Sequence, residues 1–432
     1  MDTLSSSFTR WLFRPYLDLS TPDADAPFHV WGLQFAFRSY VEDTEYPQIQ
    51  ASFNPSFRRM LVRDAALPLY AGETPLAVPP DLRSREWNGL CAAVETFHDL
   101  APRQQARVAW TLTKMGFHRA AVSLIPASAG ACDPDRAALA FVRVYARYRM
   151  NVDDASAPYR IDEFKQLAVE SPPGITRIDA TYQVVVQNVK HTGDFNEVLC
   201  WQAKHLEAVE QSAGVLDEFT YTFAMSRYHR VGGFIPQMRR DPQGIVEEMD
   251  RAEAFASALP RTTEVLAIAA DEVMYPVIES RIKEALWLGD TDRALARATR
   301  LTTLSPCDAR AWLELGEVYL EAERYADARR AYGRAYRLAP PGREVALFMI
   351  GQCDEALGDL DAACDAYVGA LELDPLCISA AEQLVEIARS TGRVSLLRWI
   401  EPRLCELHAM QTSTAPARRW PYKDLPSPAT SA

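Results

Sequence analysis

The sequence predicts an all-α protein, an α-solenoid of stacked helix hairpins with a small irregular cap at its N-terminus. Two observations predict it. A pattern of small and aromatic residues recurs after 35 positions in the last third of the chain, and Gly-Asp turns separate helical stretches at Gly193, Gly289 and Gly358. Because one helix pair cannot bury its own hydrophobic face, a repeat of this length requires stacked neighbours.

The composition is that of a folded, acidic protein. The 432 residues are 48% hydrophobic and 24% charged, with a net charge of −12 and a pI near 5.2. An acidic chain is not attracted to phosphate backbones or anionic lipids, so we expect neither nucleic acid nor membrane as a partner. The start lacks a basic-then-apolar signal, and no run approaches about 18 apolar residues, which favours a cytoplasmic location.

The motifs of common catalytic and metal sites are missing from the sequence. Eight cysteines are scattered without a CxxC pair, and there is no HExxH, GxSxG, Walker A or GxGxxG pattern. We therefore predict no metal, no cofactor and no catalytic residue. The expectation is that the protein is not an enzyme.

The repeat is clearest from Trp312 onward. Its pattern consists of Trp312, Leu315, Gly316 and Tyr319, followed by Ala328, Tyr332, Ala335 and Pro340. Glycine at 316 lets a second helix approach closely, Tyr332 fills the gap between the helices, and Pro340 ends the pair. This spacing resembles the tetratricopeptide repeat (TPR) at each signature position.

Further copies flank this one. The next copy comprises Ile350, Gly351, Gly358, Ala363, Tyr367, Ala370 and Pro375, with one residue inserted near Pro341. A degenerate copy upstream keeps Gly289, Ala294 and Pro306 but has Ala298 at the aromatic position, and another downstream keeps Leu384, Ala388, Gly392 and Leu397. We predict about four helix pairs in a TPR array over residues 271–408.

The remaining chain divides into three regions. Residues 87–270 read as a divergent helical-repeat region, with helices at 104–115 and 137–150 and a helix pair at 216–230 and 243–258 around a loop. Residues 1–86 are aromatic-rich and broken by prolines, which predicts the cap or a subdomain, with a strand at 48–63. Residues 409–432, rich in Pro, Ser, Thr and Ala, predict a disordered tail.

The TPR resemblance implies that the first helix of each pair lines a concave groove. Residues 271–410 hold 24 acidic and 16 basic side chains, which makes that groove acidic. The groove positions are Leu313, Glu314, Glu317, Leu320, Glu321, Phe348, Gln352, Glu355, Glu382, Gln383, Glu386 and Arg389. Such a surface suits a protein or peptide partner with basic and hydrophobic residues, although a merely solvated face is the alternative.

One TPR subfamily holds the C-terminal carboxylate of chaperones with a Lys/Asn/Arg clamp. The equivalent positions here include Leu313, Glu317, Phe348 and Gln352. The Glu317 carboxylate repels the terminal carboxylate of such a tail, so the sequence disfavours a role in binding chaperone tails.

A cationic, aromatic segment precedes Gly232-Gly233, which reads as a flexible loop. Arg227, His229 and Arg230 are candidate contacts for an anionic ligand group. The alternative is an ordinary helix C-terminus, where cations favour the helix dipole and glycine ends the helix.

The predicted function is a cytoplasmic scaffold or adaptor that holds a partner polypeptide in an acidic groove. One alternative is an enzyme or biosynthetic accessory protein with a site in residues 1–260 and repeats that recruit substrate; a large, deep pocket would favour it. A second alternative, a peptide-sensing regulator, is weakened because residues 1–86 show no DNA-binding pattern. The oligomeric state is not predicted.

Overall fold

The computed structural model describes residues 74–77, 80, 85–114, 117–126, 131, 133–151, 160–262, 264–304, 309–338 and 343–411. Every regular element in these ranges is helical, which confirms the all-α prediction. The predicted cap and its strand at 48–63 lie almost wholly outside the described residues, as does the tail beyond residue 411. The predicted domain boundaries stay predictions.

The chain divides into two compact units. Among the described residues, the boundary along the chain falls between Arg281 and Ile282. The helices that begin in the first unit are α1 (Arg85–Glu95), α2 (Pro102–Lys114), α3 (His118–Leu124), α4 (Pro134–Asn151), α5 (Ile161–Glu170), α6 (Ile175–Gln187), α7 (Phe195–Ser212), α8 (Glu218–Gly232), α9 (Phe234–Arg239), α10 (Pro242–Ser257) and α11 (Glu264–Trp287). Short 3-10 turns cover Pro75–Ala77 and Phe97–Asp99, and a π-helical turn, Asn188–Thr192, follows α6.

The second unit contains the end of α11 and seven further helices in antiparallel order. These are α12 (Thr291–Leu304), α13 (Ala309–Glu321), α14 (Tyr325–Leu338), α15 (Arg343–Ala356), α16 (Leu360–Leu373), α17 (Ile378–Thr391) and α18 (Val394–Gln411). Helix α18 continues two residues past Ala409, where the tail was predicted to begin.

The two clearest repeats are consecutive helix hairpins, as the sequence predicts. Helices α13 and α14 pack together around Tyr332, and α15 and α16 pack around Tyr367; both rings are essentially fully buried. A Cβ atom added at Gly316 would lie 2.5 Å from the Tyr332 ring, and one at Gly351 would lie 2.6 Å from the Tyr367 ring. Both hairpins therefore use the same contact, in which an aromatic ring packs against a glycine of the first helix.

A left-handed residue ends the first helix of each hairpin in the second unit. The backbone φ is +76° at Gly289, +55° at Glu323, +84° at Gly358 and +68° at Gly392. After each, a backbone N–H bonds the carbonyl five residues back, for example Asp359 to Asp354 at 2.9 Å, as in a Schellman motif. Asp359 then caps α16 by accepting from the Ala362 N–H.

The predicted helices of residues 87–270 are present with shifts of a few residues, but the predicted flexible loop at Gly232-Gly233 is wrong. Gly232 ends α8, and Gly233 leads directly into α9. A Cβ atom would lie 2.9 Å from the Glu248 carboxylate at position 232 and 2.7 Å from Met249 at position 233. The two glycines leave room for the ends of these α10 side chains, and the backbone at both positions is helical and does not form a flexible loop.

Across the described ranges, no helix combines the length and the apolar character needed to cross a bilayer.

Candidate functional site

A cavity of about 220 Å³ lies among helices of the first unit. Its lining residues come from α2 (Trp110), α4 (Phe141, Tyr145), α6 (Asp179, Tyr182, Gln183), α8 (Phe223, Ser226, Arg227, Arg230) and α11 (Val273, Pro276, Val277). The contributions from α6 and α8 are spaced three or four residues apart, so each helix presents one face. The volume lies below the roughly 300–1,000 Å³ of typical small-molecule sites, which suits a single side chain or a small acid.

Arg227 is held in the cavity wall by an ion pair and two aromatic rings. Its guanidinium bonds the Asp179 carboxylate, and both side chains are only 12% exposed. The same guanidinium lies 3.9 Å from the centre of the Tyr182 ring and 4.9 Å from that of Phe223. These contacts neutralise the charge of Arg227 and fix its orientation.

Arg230 lies one helical turn further along α8 and has a different environment. It donates a hydrogen bond to the Tyr182 hydroxyl, and among the described residues no carboxylate lies within ion-pair distance of it. Burial raises the pKa of Tyr182, but the positive charges of Arg230 and Arg227 oppose this and leave that pKa below its ordinary value. The cavity therefore favours negative charge at the Tyr182 oxygen.

The rest of the wall is aromatic. The rings of Phe141 and Tyr145 stack with centres 6.0 Å apart, and Trp110 lies 5.4 Å from Tyr145. Burial, which Arg149 opposes, raises the pKa of Tyr145, so its phenol stays protonated at neutral pH. The aromatic walls can contact the apolar part of a ligand, and Arg227 and Arg230 can contact its polar group.

Of the three predicted anion contacts, the structure brings Arg227 and Arg230 together and directs His229 elsewhere. The Nδ1 atom of His229 lies 3.0 Å from a carboxylate oxygen of Glu248, and its ring stacks on Phe255 at 5.5 Å. Arg227 and Arg230 lie three residues apart and share the side of α8 that lines the cavity, whereas His229 lies on the side that packs against α10. His229 therefore does not join the two arginines in a shared anion site, because its ring already faces a carboxylate of α10.

A neutral histidine lies behind the cavity wall. His205 is fully buried, and its Nδ1 atom is 2.8 Å from the Thr181 hydroxyl oxygen. Its Nε2 atom has no hydrogen-bond partner in the described part of the chain. Burial and the nearby charge of Arg227 lower the pKa of His205 to about 3. It is a packing residue at physiological pH.

The predicted groove residues separate by burial. Glu314 and Phe348 are buried, at 7% and 8% exposure; Glu314 lies 3.5 Å from the Lys283 ammonium group, and the Phe348 ring lies 5.6 Å from that of Tyr367. Glu314 and Phe348 therefore do not line an open groove, because their side chains pack between helices.

The other predicted groove residues remain wholly or partly accessible. Glu321, Glu382 and Glu386 are exposed, and Leu313, Glu317, Leu320, Gln352, Glu355 and Gln383 are half-buried. Glu355 accepts a hydrogen bond from the Tyr367 hydroxyl at 2.9 Å. Exposed Arg389 pairs with Glu401 at 2.7 Å on the neighbouring helix.

The charges of α13 are poorly balanced. Burial and the neighbouring Glu321 carboxylate raise the pKa of Glu317, and Lys283 opposes them. The same lysine pairs with Glu314. Lys283 thus acts on two carboxylates of α13, those of Glu314 and Glu317. Within the described ranges, no group of three or more His, Cys, Asp or Glu side chains is arranged to hold a metal.

The sequence could not reveal most of the cavity, since its walls come from helices far apart in the chain. The sequence points only to Arg227 and Arg230, because they lie in one local run. A partial signal existed in Asp179, a charged residue in the otherwise apolar helix α6, three residues before Tyr182.

Comparisons with known proteins agree with this architecture. Two family models match, both described as tetratricopeptide repeat, over residues 281–343 and 345–375. No curated protein matches. Among solved structures, a human IFIT1 dimer with m7Gppp-AAAA matches with a TM-score of 0.52 and 11% identity, over 95% of this chain and 94% of that one. The crystal structure of MamA matches with a TM-score of 0.32 and 19% identity, over 40% of this chain and 95% of that one.

At this identity, the likeness to IFIT1 concerns the fold alone. The repeat identification rests on the family models and on the hairpins with their Gly316–Tyr332 and Gly351–Tyr367 contacts. TPR arrays serve in general as scaffolds for protein interaction. The chain therefore contains tetratricopeptide repeats, over residues 281–343 and 345–375.

Proposed function

We propose that this protein is a cytoplasmic scaffold or adaptor whose second unit binds a basic, partly hydrophobic segment of a partner polypeptide. The binding surface, here called the acidic face, consists of Glu317 and Glu321 on α13, Glu355 on α15, and Glu382 and Glu386 on α17. All five belong to the first helices of their hairpins. Stacked hairpins present such helices along an extended surface suited to a peptide.

The unbalanced carboxylates of α13 carry this proposal. Glu317 has a raised pKa because burial and Glu321 destabilise its charge, and Lys283 only partly offsets them. A Lys or Arg side chain from a partner would supply the missing positive charge and bring the pKa of Glu317 back down. A cationic segment is therefore attracted to this surface, and an acidic segment is repelled by it.

Half-buried apolar side chains next to the acidic face give a partner its hydrophobic anchors. Leu313 and Leu320 pack against the core around Tyr332 while remaining partly accessible. Apolar contact supplies affinity, and the carboxylates set orientation and exclude acidic sequences.

Binding of synthetic peptides tests the proposal. We expect the full-length protein to bind an amphipathic Lys/Leu peptide and to ignore a Glu/Leu peptide of the same length and an oligo(A) RNA. The variant Glu317→Gln/Glu321→Gln should weaken binding of the Lys/Leu peptide about tenfold, and added salt should weaken binding by the wild type.

The matched control removes two charges from a second helix. Asp365 and Glu372 are exposed on α16, so Asp365→Asn/Glu372→Gln should leave peptide affinity unchanged. Equal losses in both double variants would show that only net charge matters and would overturn the acidic face. Affinity capture with the wild type and the two variants would then identify partners that depend on the acidic face.

The predicted alternative of an enzyme ranks below binding. It calls for a large, deep pocket, whereas the cavity of the first unit holds about 220 Å³. Its carboxylate, Asp179, is held by Arg227, so it is not placed to act as a free general base.

A further inference from the structure

The cavity of the first unit carries an unbalanced positive charge. Arg227 is neutralised by Asp179, but in the described chain Arg230 has only the Tyr182 hydroxyl as a hydrogen-bond partner. Both arginines are partly buried. A desolvated cation without a counter-charge is costly, and an anion that enters the cavity removes that cost.

The pKa of Tyr182 reflects the charges of the same two arginines. Although burial raises it, the two arginines hold it below its ordinary value. The point where the Tyr182 oxygen meets Arg230 is thus one at which this fold stabilises negative charge.

The opposite walls have the character of a receptor for an apolar body. Trp110, Phe141 and Phe223 offer ring surfaces, and Val273 and Val277 of α11 add aliphatic contacts. Apolar walls with a few convergent polar groups are typical of ligand sites, and this volume fits one ring or one branched side chain.

We propose that this cavity binds a monoanionic carboxylate attached to an aromatic or branched aliphatic body, with the carboxylate on Arg230 and the body against the aromatic wall. The planar guanidinium matches the two oxygens of a carboxylate. A doubly charged phosphate fits less well, because one surplus charge is available and the Asp179 carboxylate repels a second. The Tyr182 hydroxyl turns to donate to the bound carboxylate.

The experiment is a calorimetric titration of the full-length protein with 3-phenylpropionate. Its amide, 3-phenylpropionamide, keeps the shape and removes the charge, and phenyl phosphate tests the doubly charged head. We expect the acid to bind at least tenfold more tightly than either compound, since charge-assisted hydrogen bonds are the stronger class. Equal binding of acid and amide, tighter binding of phenyl phosphate, or no binding of the acid would overturn the proposal.

Variants locate the site. Arg230→Gln should weaken acid binding at least tenfold, and Arg230→Lys should restore part of it. The matched control is Arg251→Gln on α10, a 56% exposed arginine outside the cavity, which should bind as the wild type does. If folded Arg230→Gln protein bound normally, the assignment to this cavity would be wrong. If Arg230→Gln failed to fold, the comparison of acid with amide in the unaltered protein would decide alone.

Two sources of the ligand share this chemistry, a free small acid and a chain terminus. An N-acetyl dipeptide ending in phenylalanine separates them: tighter binding of the dipeptide than of 3-phenylpropionate indicates a terminus, and the reverse order indicates a small molecule. Arg230→Gln should leave the affinity of the acidic face for the Lys/Leu peptide unchanged, so the two proposals fail separately.

Discussion

The ring of Tyr332 occupies the space that a side chain on residue 316 would need. A Cβ atom at Gly316 would lie 2.5 Å from one ring carbon and 2.6 Å from the next. Gly351 and Tyr367 repeat this relationship one hairpin later, at 2.6 and 2.7 Å. The ring is almost fully buried in both cases and cannot move aside without opening the hairpin.

Alanine at Gly316 should therefore destabilise the protein. Overpacking of this kind costs about 1–3 kcal/mol, which exceeds the gain from removing a helical glycine. Urea denaturation followed by circular dichroism measures the loss. Gly333 on α14 is the matched control, because nothing lies within 4 Å of its would-be Cβ; Gly333→Ala should stabilise by about 0.5–1 kcal/mol. A neutral or stabilising Gly316→Ala would show that the helices can separate at no cost.

Glycine at position 323 should stabilise the second unit. Glu323 has a φ of +55° at the turn where the other hairpins use glycine. A non-glycine residue costs about 1–2 kcal/mol in this region, partly offset by the greater entropy of glycine in the unfolded chain. Thermal denaturation of Glu323→Gly should give a higher Tm, whereas Gly358→Ala, at φ +84°, should give a lower one. A drop in Tm for Glu323→Gly would mean that its side chain contributes more than the strain costs.

Acid should destabilise the first unit through His205. Its pKa is about 3 in the folded protein against 6.5 for the free side chain, so the unfolded chain binds the extra proton between these values. The stabilisation is complete above pH 6.5 and falls by about 1.4 kcal/mol per pH unit down to pH 3. Free energies of unfolding at pH 7 and pH 4.5 measure it. In His205→Gln the difference between the two pH values should shrink by about 2–3 kcal/mol, and an unchanged difference would exclude His205 as the cause.

The ion pair of Arg227 and Asp179 should show strong coupling. Both side chains are 12% exposed, so Arg227→Gln or Asp179→Asn alone leaves a buried charge unpaired, at about 3–5 kcal/mol. The double variant removes both charges and should cost less than the sum by about 1–3 kcal/mol. A double-mutant cycle in urea gives this coupling energy. Additive losses would indicate that the pair is solvated in solution.

The sequence was most informative where structure depends on spacing. Gly316, Tyr332 and their counterparts could be assigned because their roles follow from residue size at fixed positions along two adjacent helices. The cavity could not be assigned in the same way. Its aromatic and charged walls meet only after several hairpins have packed, so Trp110 and Asp179 carry no local sign of being neighbours.

Local interpretation also caused the errors. The local sequence predicts flexibility at Gly232 and Gly233, but their lack of side chains makes room for Glu248 and Met249. Phe348 was assigned to an open groove by its repeat position, although its ring packs against Tyr367. In each case, a partner distant in sequence determines what the residue does.

The constant spacing inside the hairpins has a further consequence. Tyr332 follows Gly316 by sixteen positions, and Tyr367 follows Gly351 by sixteen, whereas the extra residue of the 35-residue period falls between the hairpins. Length variation is therefore absorbed at the joints, and each hairpin behaves as a cassette of fixed internal length. Such cassettes can be duplicated, removed or transplanted whole. An array of this kind can therefore lengthen or shorten while the contacts inside each hairpin stay the same.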